Sequence, residues 1–270
     1  MFERETGPTL MQRLASIYPE GRLREHFKCT LNVTDERAVA VQVALAEAGF
    51  RPWMDHSRPC EAREYWVDLL REYEPSDVEG LPYLELQPVF VDAEVERQES
   101  DGLMDVSRIG SKVDLDFARV DRNRYLVLDR TKQLLAASGL LGPAFRQTVD
   151  RKSRRRGPLW ELCSTIPMPP LSEKMDLRTF QSLPAPRDGS VKHYVPKEGL
   201  YQPPELRYDS VAMAAMQPFD LAYTRESLGG EPRWESMDRT LIASARFYQF
   251  CQSNGLKTGW IPVRLEGRPA

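Results

Sequence analysis

Residues 124 to 149 read RYLVLDRTKQLLAASGLLGPAFRQTV, and residues 239 to 265 read RTLIASARFYQFCQSNGLKTGWIPVRL. The two stretches spell the same order of elements. Leu126, Val127 and Leu128 make a short apolar strand, matched by Leu241, Ile242 and Ala243. Asp129 and Ser244 follow in equivalent places, and both residue types cap helix N-termini by accepting from free N–H groups. Leu134 and Leu135 lie in the first helix, Phe247 and Phe250 in the second. Gly139 and Gly255 supply the left-handed stop, each followed by leucine, Leu140 and Leu256. The closing strands run from Ala144 to Val149 and from Trp260 to Leu265. Each copy also opens on a strand, Asp116 to Arg119 in one and Asp220 to Tyr223 in the other. The turn after it is longer in the second copy (SLGGEPRWESM).

Such a repeat constrains the fold strongly. Three strands and one helix cannot bury both faces of a sheet, so each copy needs its twin to complete a core. The expected fold class is α+β, mixed α/β in detail, with two related strand–strand–helix–strand units. The copies span about residues 113–150 and 218–265. The remainder of 81–270 is a strand at 159–166 (LWELCSTI) and a segment, 167–218, with nine prolines and few regular periods. That segment reads as ordered coil crossing the surface, or as a place where a partner binds.

The N-terminal portion, residues 1–80, reads differently. Leu10, Leu14, Ile17 and Tyr18 predict a helix over 7–18, with Pro8 in its first turn. Phe27, Cys29, Leu31 and Val33 alternate with polar residues as in a half-buried strand. A helix capped by Thr34 or Asp35 runs to Ala48, and Phe50 to Trp53 begins another strand. Residues 61–74 have the apolar spacing of an amphipathic helix, with Trp66, Leu69, Leu70 and Tyr73 inward. From Val89 to Val95 apolar and polar residues alternate again as a strand. Residues 97–112 are polar, and a further break is possible near 100–112.

Composition narrows the class of protein. The chain has 270 residues, 41% hydrophobic and 29% charged, as expected for a chain that buries a core. Its net charge of −3 argues against a dedicated nucleic-acid binder. The N-terminus MFERETGPTL has no apolar core of a secretory signal, and no apolar run is long enough to span a bilayer. A cytoplasmic protein is expected, with no membrane partner. Cys29, Cys60, Cys163 and Cys251 are widely spaced, which fits buried thiols.

Few side chains mark out chemistry. Arg151, Lys152, Arg154, Arg155 and Arg156 form a basic run between two expected strands. The run reads as a solvated hairpin tip or as a handle for an acidic partner. It lacks the interleaved aromatics of a base-stacking surface. Tyr194, Tyr201 and Tyr208 lie in the proline-rich segment. Of these, Tyr194 and Tyr201 join the basic run as candidate partner contacts. His26, Cys29, His56 and Cys60 are of zinc-ligand type, but His26 and Cys29 fall on opposite faces of one strand. Glu94 and Glu96 share a strand face, as a paired acid and base or as a solvated edge. Gly229-Gly230 lacks the spacing of a dinucleotide loop. No catalytic residue, metal or cofactor is assigned.

The stretches YLVLDRTKQLLAASGLLGPAFRQT, LWELCSTIPMPPL and IASARFYQFCQSNGLKTGWIPVRL resemble the body of the paralogous double-CXXCG proteins of myxobacteria. They also resemble related immunity proteins of bacterial polymorphic-toxin systems. The resemblance covers about residues 113–170 and 218–265. Both CXXCG motifs are absent here, so no zinc ribbon is carried over. The resemblance implies a non-enzymatic intracellular protein that binds a cognate protein toxin and blocks it by occlusion. An unrecognised hydrolase, dependent on cysteine or carboxylate, is one alternative. A nucleic-acid-associated regulator is the other.

Overall fold

The elements form where apolar periodicity meets a partner to pack on. They are described from a computed structural model covering residues 10, 12–14, 16–17, 22–23, 27–28, 36–52, 64–65, 73–91, 94–97, 104–107, 116–120, 124–150, 156–175, 180–184, 192–196, 205–228 and 239–267. Two compact units result: Met1–Leu69 with Glu198–Tyr201, and Leu70–Lys197 with Gln202–Ala270.

In the first unit, the helical residues Leu10 and Leu14 are buried against Val41 and Ala44. The strands β1 (Arg22–Leu23) and β2 (Phe27–Lys28) pair antiparallel. Helix α1 (Glu36–Glu47) ends at Gly49, whose φ of 78° lets the chain turn so that the N–H of Phe50 reaches the carbonyl of Leu45. Strand β3 (Arg51–Pro52) pairs in parallel with β4 (Glu64–Tyr65). That pairing corrects the helix expected over 61–74. At Glu64 and Tyr65 pairing with β3 outweighs the helical spacing of the sequence, while residues 61–63 and 66–72 lie outside the described residues.

The second unit opens with the short helix α2 (Pro75–Val78) and β5 (Tyr83–Gln87). The single strand expected over 89–95 is two strands, β6 (Val89–Phe90) and β7 (Glu94–Arg97). They sit at opposite edges of one sheet. Strand β8 (Met104–Ser107) lies within the polar stretch 97–112 and pairs with both β7 and β11 (Pro143–Asp150). Before β11 come β9 (Phe117–Val120), β10 (Arg124–Leu128) and helix α3 (Asp129–Ala137). After it comes β12 (Arg156–Ser164).

The proline-rich segment is more regular than its sequence implies. It holds β13 (Phe180–Pro184), β14 (Lys192–Pro196), β15 (Arg207–Asp209) and helix α4 (Ser210–Ala214). Cross-strand pairing supplies order that local periodicity does not reveal, and the prolines at 184 and 196 stand at strand ends, where no donor is lost. The chain continues through β16 (Leu221–Tyr223), β17 (Ser227–Leu228) and β18 (Leu241–Ser244). Helix α5 (Ala245–Ser253), β19 (Gly259–Pro262) and β20 (Arg264–Glu266) complete it. Strand β17 lies in the stretch expected to be only a turn, and pairs with β14. The fold is mixed α+β.

Both copies of the repeat are present, and each gains a fourth strand. In the first copy the order is β9-β10-β12-β11, the middle of a seven-stranded sheet. In the second it is β16-β18-β5-β19. The strand inserted between the helix-flanking pair is β12 in one case and β5 in the other. One follows its copy in sequence; the other lies far ahead of its copy. Leu126 pairs with Glu161 and Ala118, and Ile242 pairs with Glu85 and Ala222. The registers therefore match residue for residue.

One core joins the two copies. Phe117, Tyr125, Val127, Leu135 and Leu162 from the first are buried with Leu221, Leu241, Ala243, Cys251 and Leu86 from the second. These are equivalent positions, taken in order. A second core covers the other face of the second sheet. There Ala222 and Ile242 meet Met168, Leu171, Leu206, Tyr208, Met213, Phe219 and Leu228.

Candidate functional site

The basic run joins β11 to β12. Those strands are antiparallel, with Val149 opposite Arg156. Arg156 is the first residue of β12. Arg151, Lys152, Arg154 and Arg155 lie outside the described residues, as do Tyr201, His26, Cys29, His56 and Cys60. Tyr194 lies on β14 and is half-buried against the second core. Glu94 and Glu96 are on β7. Of the candidate contacts, Arg156 on β12 and Tyr194 on β14 are the described ones, and they stand in different sheets.

Two buried aspartates escape sequence reasoning. Asp116 and Asp220 stand just before β9 and β16, 6% and 4% exposed. Asp116 accepts from the guanidinium of Arg130 at 2.9 Å and from the backbone N–H of Lys257 at 3.0 Å. Asp220 accepts from the guanidinium of Arg246 at 3.1 Å and from the backbone N–H of Leu141 at 2.8 Å. Arg130 and Arg246 are the second residues of α3 and α5. Leu141 and Lys257 each follow the Gly-Leu stop. Each aspartate therefore binds the arginine of its own copy and the turn of the other. The Arg246 guanidinium adds a bond to the Gly139 carbonyl at 3.3 Å. In sequence the signal is a paired Asp-x-Ala opening, DFA and DLA, but no local rule reads it as a cross-copy clasp.

The hydroxyl of Ser244 donates to Asp220 at 2.9 Å and accepts from the Phe247 N–H at 3.2 Å. It is the expected helix cap. Asp129 is not its counterpart as a cap. Helix α3 begins at Asp129 itself, and Leu128 occupies the cap position without a side-chain bond. The Asp129 carboxylate instead accepts from the Trp160 indole at 2.8 Å and from Gln133 at 2.7 Å. Lys132 lies over the Trp160 ring, 4.6 Å from its centroid. In the first copy a tryptophan on β12 thus takes the carboxylate that sequence pattern assigns to the helix end.

The thiols described are built into packing. Cys251 is fully buried in the shared core, and burial, then the nearby Asp116 charge, pushes its thiol up to about 12. A thiol so shifted is not a nucleophile at neutral pH. Cys163 donates to the Ala144 carbonyl. Among the described residues no three His, Cys, Asp or Glu side chains form a metal cluster. No helix among them is long and apolar enough to cross a membrane. Compared with protein-family models, curated proteins and solved structures, the chain matches none.

Proposed function

We propose that this chain is a non-enzymatic immunity protein that binds a cognate bacterial toxin and occludes it. One observation carries the reading. The stretches that resemble the double-CXXCG and immunity proteins, 113–170 and 218–265, supply all of the buried residues of one shared core except Leu86. That these stretches pack together as one core supports reading the resemblance as that of one folded body. The step from that body to toxin binding is made by analogy. The inert environment of Cys251 counts against a hydrolase built on that thiol.

Occlusion needs a rigid, complementary surface and a fast encounter. A rigid duplicated core supplies the first. The basic run at 151–156 supplies local positive charge on a chain of net charge −3, which steers an acidic partner. Tyr194 and Tyr201 are the proposed aromatic contacts. The test is co-expression of the full chain with the products of neighbouring genes. A stoichiometric complex with one toxic product, and relief of its toxicity, are expected. No complex and no relief with any of them contradicts the proposal. Reversing Arg154, Arg155 and Arg156 to glutamate should then weaken the complex and flatten its salt dependence, as removal of steering charges requires. Equal affinity at every salt concentration removes the basic run from the interface.

A further inference from the structure

The helix stops of the two copies are built alike but written differently. Ser138 precedes Gly139, and Asn254 precedes Gly255. The Ser138 hydroxyl donates to the Leu135 carbonyl at 2.6 Å. The Asn254 side-chain amide donates to the Phe250 carbonyl at 2.9 Å. Each side chain thus satisfies a carbonyl that the end of a helix leaves free. The positive φ of the next residue, 68° in one stop and 63° in the other, requires glycine there. One stop therefore reads Ser-Gly and the other Asn-Gly. The chain has three asparagines, Asn32, Asn123 and Asn254, and of these Asn254 alone is followed by glycine.

Asn-Gly carries a chemistry that Ser-Gly lacks. The glycine nitrogen can attack the carboxamide carbon of the preceding asparagine, because glycine has no side chain to obstruct the approach. Asn254 and Gly255 are both exposed, so water and base reach them. In the closed stop both reacting groups are engaged. The Gly255 N–H donates to the Gln252 carbonyl at 3.1 Å, and the Asn254 amide is held by Phe250. The next two residues are tied as well. The Leu256 N–H donates to the Cys251 carbonyl at 2.9 Å, and the Lys257 N–H to Asp116 at 3.0 Å. Ring closure therefore proceeds from a stop that has opened locally.

We propose that Asn254 is a site of spontaneous covalent modification, gated by the stop that holds it, and that its conversion loosens the clasp at Asp116. The Gly255 nitrogen forms a bond to Asn254 Cγ. The bond from Cγ to the amide nitrogen breaks, and ammonia leaves with the Gly255 amide proton. Water then opens the cyclic imide, with no net oxidation or reduction. Addition at Cγ gives aspartate, and addition at the main-chain carbonyl gives isoaspartate, in which the chain runs through Cγ. Either product puts a carboxylate, which donates no hydrogen bond, where the amide held Phe250. It also sets a negative charge at the C-terminal end of α5, where the helix dipole disfavours it. Isoaspartate adds a methylene to the chain between α5 and Lys257, and so displaces the N–H that Asp116 accepts. Ser138 has no carboxamide, so the matching bond from the Leu141 N–H to Asp220 is spared this chemistry.

Incubation of the full chain at mildly alkaline pH, followed by peptide mapping with mass spectrometry, tests the site. Aspartate and isoaspartate should accumulate at position 254, more slowly than in the same chain unfolded in denaturant. No conversion there by the time the unfolded chain has converted fully overturns the proposal. Conversion equally fast in both also overturns it, since the stop then gates nothing. Asn254→Ser copies the stop of the first copy, and should abolish the product while keeping the fold. Hydrogen exchange of the converted fraction reads the consequence. Protection of the Lys257 amide should fall about fivefold or more, the factor for about one lost hydrogen bond, and by more than that of Leu141. Unchanged protection at Lys257 after conversion overturns the link to the clasp.

Discussion

Removing the Asp116 carboxylate strands a backbone N–H that belongs to the other copy. That asymmetry decides which side of each clasp matters. Arg130 and Arg246 are 61% and 59% exposed, so water solvates them when their partners are lost. The aspartate carboxylates, 6% and 4% exposed, have no such recourse. Asp116→Ala should cost about 1–3 kcal/mol of stability, as expected for losing the charge-assisted hydrogen bonds of a buried carboxylate. Arg130→Ala should cost less than about 1 kcal/mol. Chemical denaturation of the two variants checks the order, and equal losses contradict it. At this scale the sequence reveals residue types better than tasks. Ser244 caps its helix as its identity predicts, because a cap is a local device. Asp129 does not, because Trp160 from a distant strand takes its carboxylate. The roles of Asp116 and Asp220 depend on contacts with the other copy, which no window of sequence contains.

At the scale of elements, the repeat is legible where its signals are local. Gly139 and Gly255 have φ of 68° and 63°, as matched left-handed stops require. The paired strands before each helix also stand where the apolar runs place them. The fourth strands were less evenly visible. LWELC alternates cleanly and reads as a strand. Tyr83 to Gln87 lies ahead of the repeat and has no local sign of belonging to it, yet it takes the same place in its sheet. Within the helix expected over 61–74, Glu64 and Tyr65 are strand for the converse reason, since spacing alone does not exclude a strand partner. Gly142 is a further difference between the copies. Its φ is 106°, and a Cβ there would lie 2.0 Å from the Leu221 carbonyl oxygen. Gly142→Ala should therefore cost about 2 kcal/mol or more, through a forced backbone shift. At Gly139 a Cβ meets nothing within 4 Å, so Gly139→Ala should cost only about 1 kcal/mol of left-handed strain. Thermal denaturation of the pair distinguishes close approach from conformation alone.

For the second unit as a whole, the copies share one interior between them, and the second copy has a further core on its other face. Phe117 and Leu221, Tyr125 and Leu241, and Leu135 and Cys251 share one core, and each clasp crosses between copies. Neither copy is expected to persist without the other, and damage to one should spread to both. The proposed immunity function draws on the same property, because a rigid body is what occlusion needs. Hydrogen exchange of the full-length Asp116→Ala variant, resolved over β10 and β18, tests this interlocking most directly. The account predicts that protection falls together in both strands, by similar factors. Loss confined to β10 and α3, with β18 and α5 unchanged, would show two independent copies and contradict it.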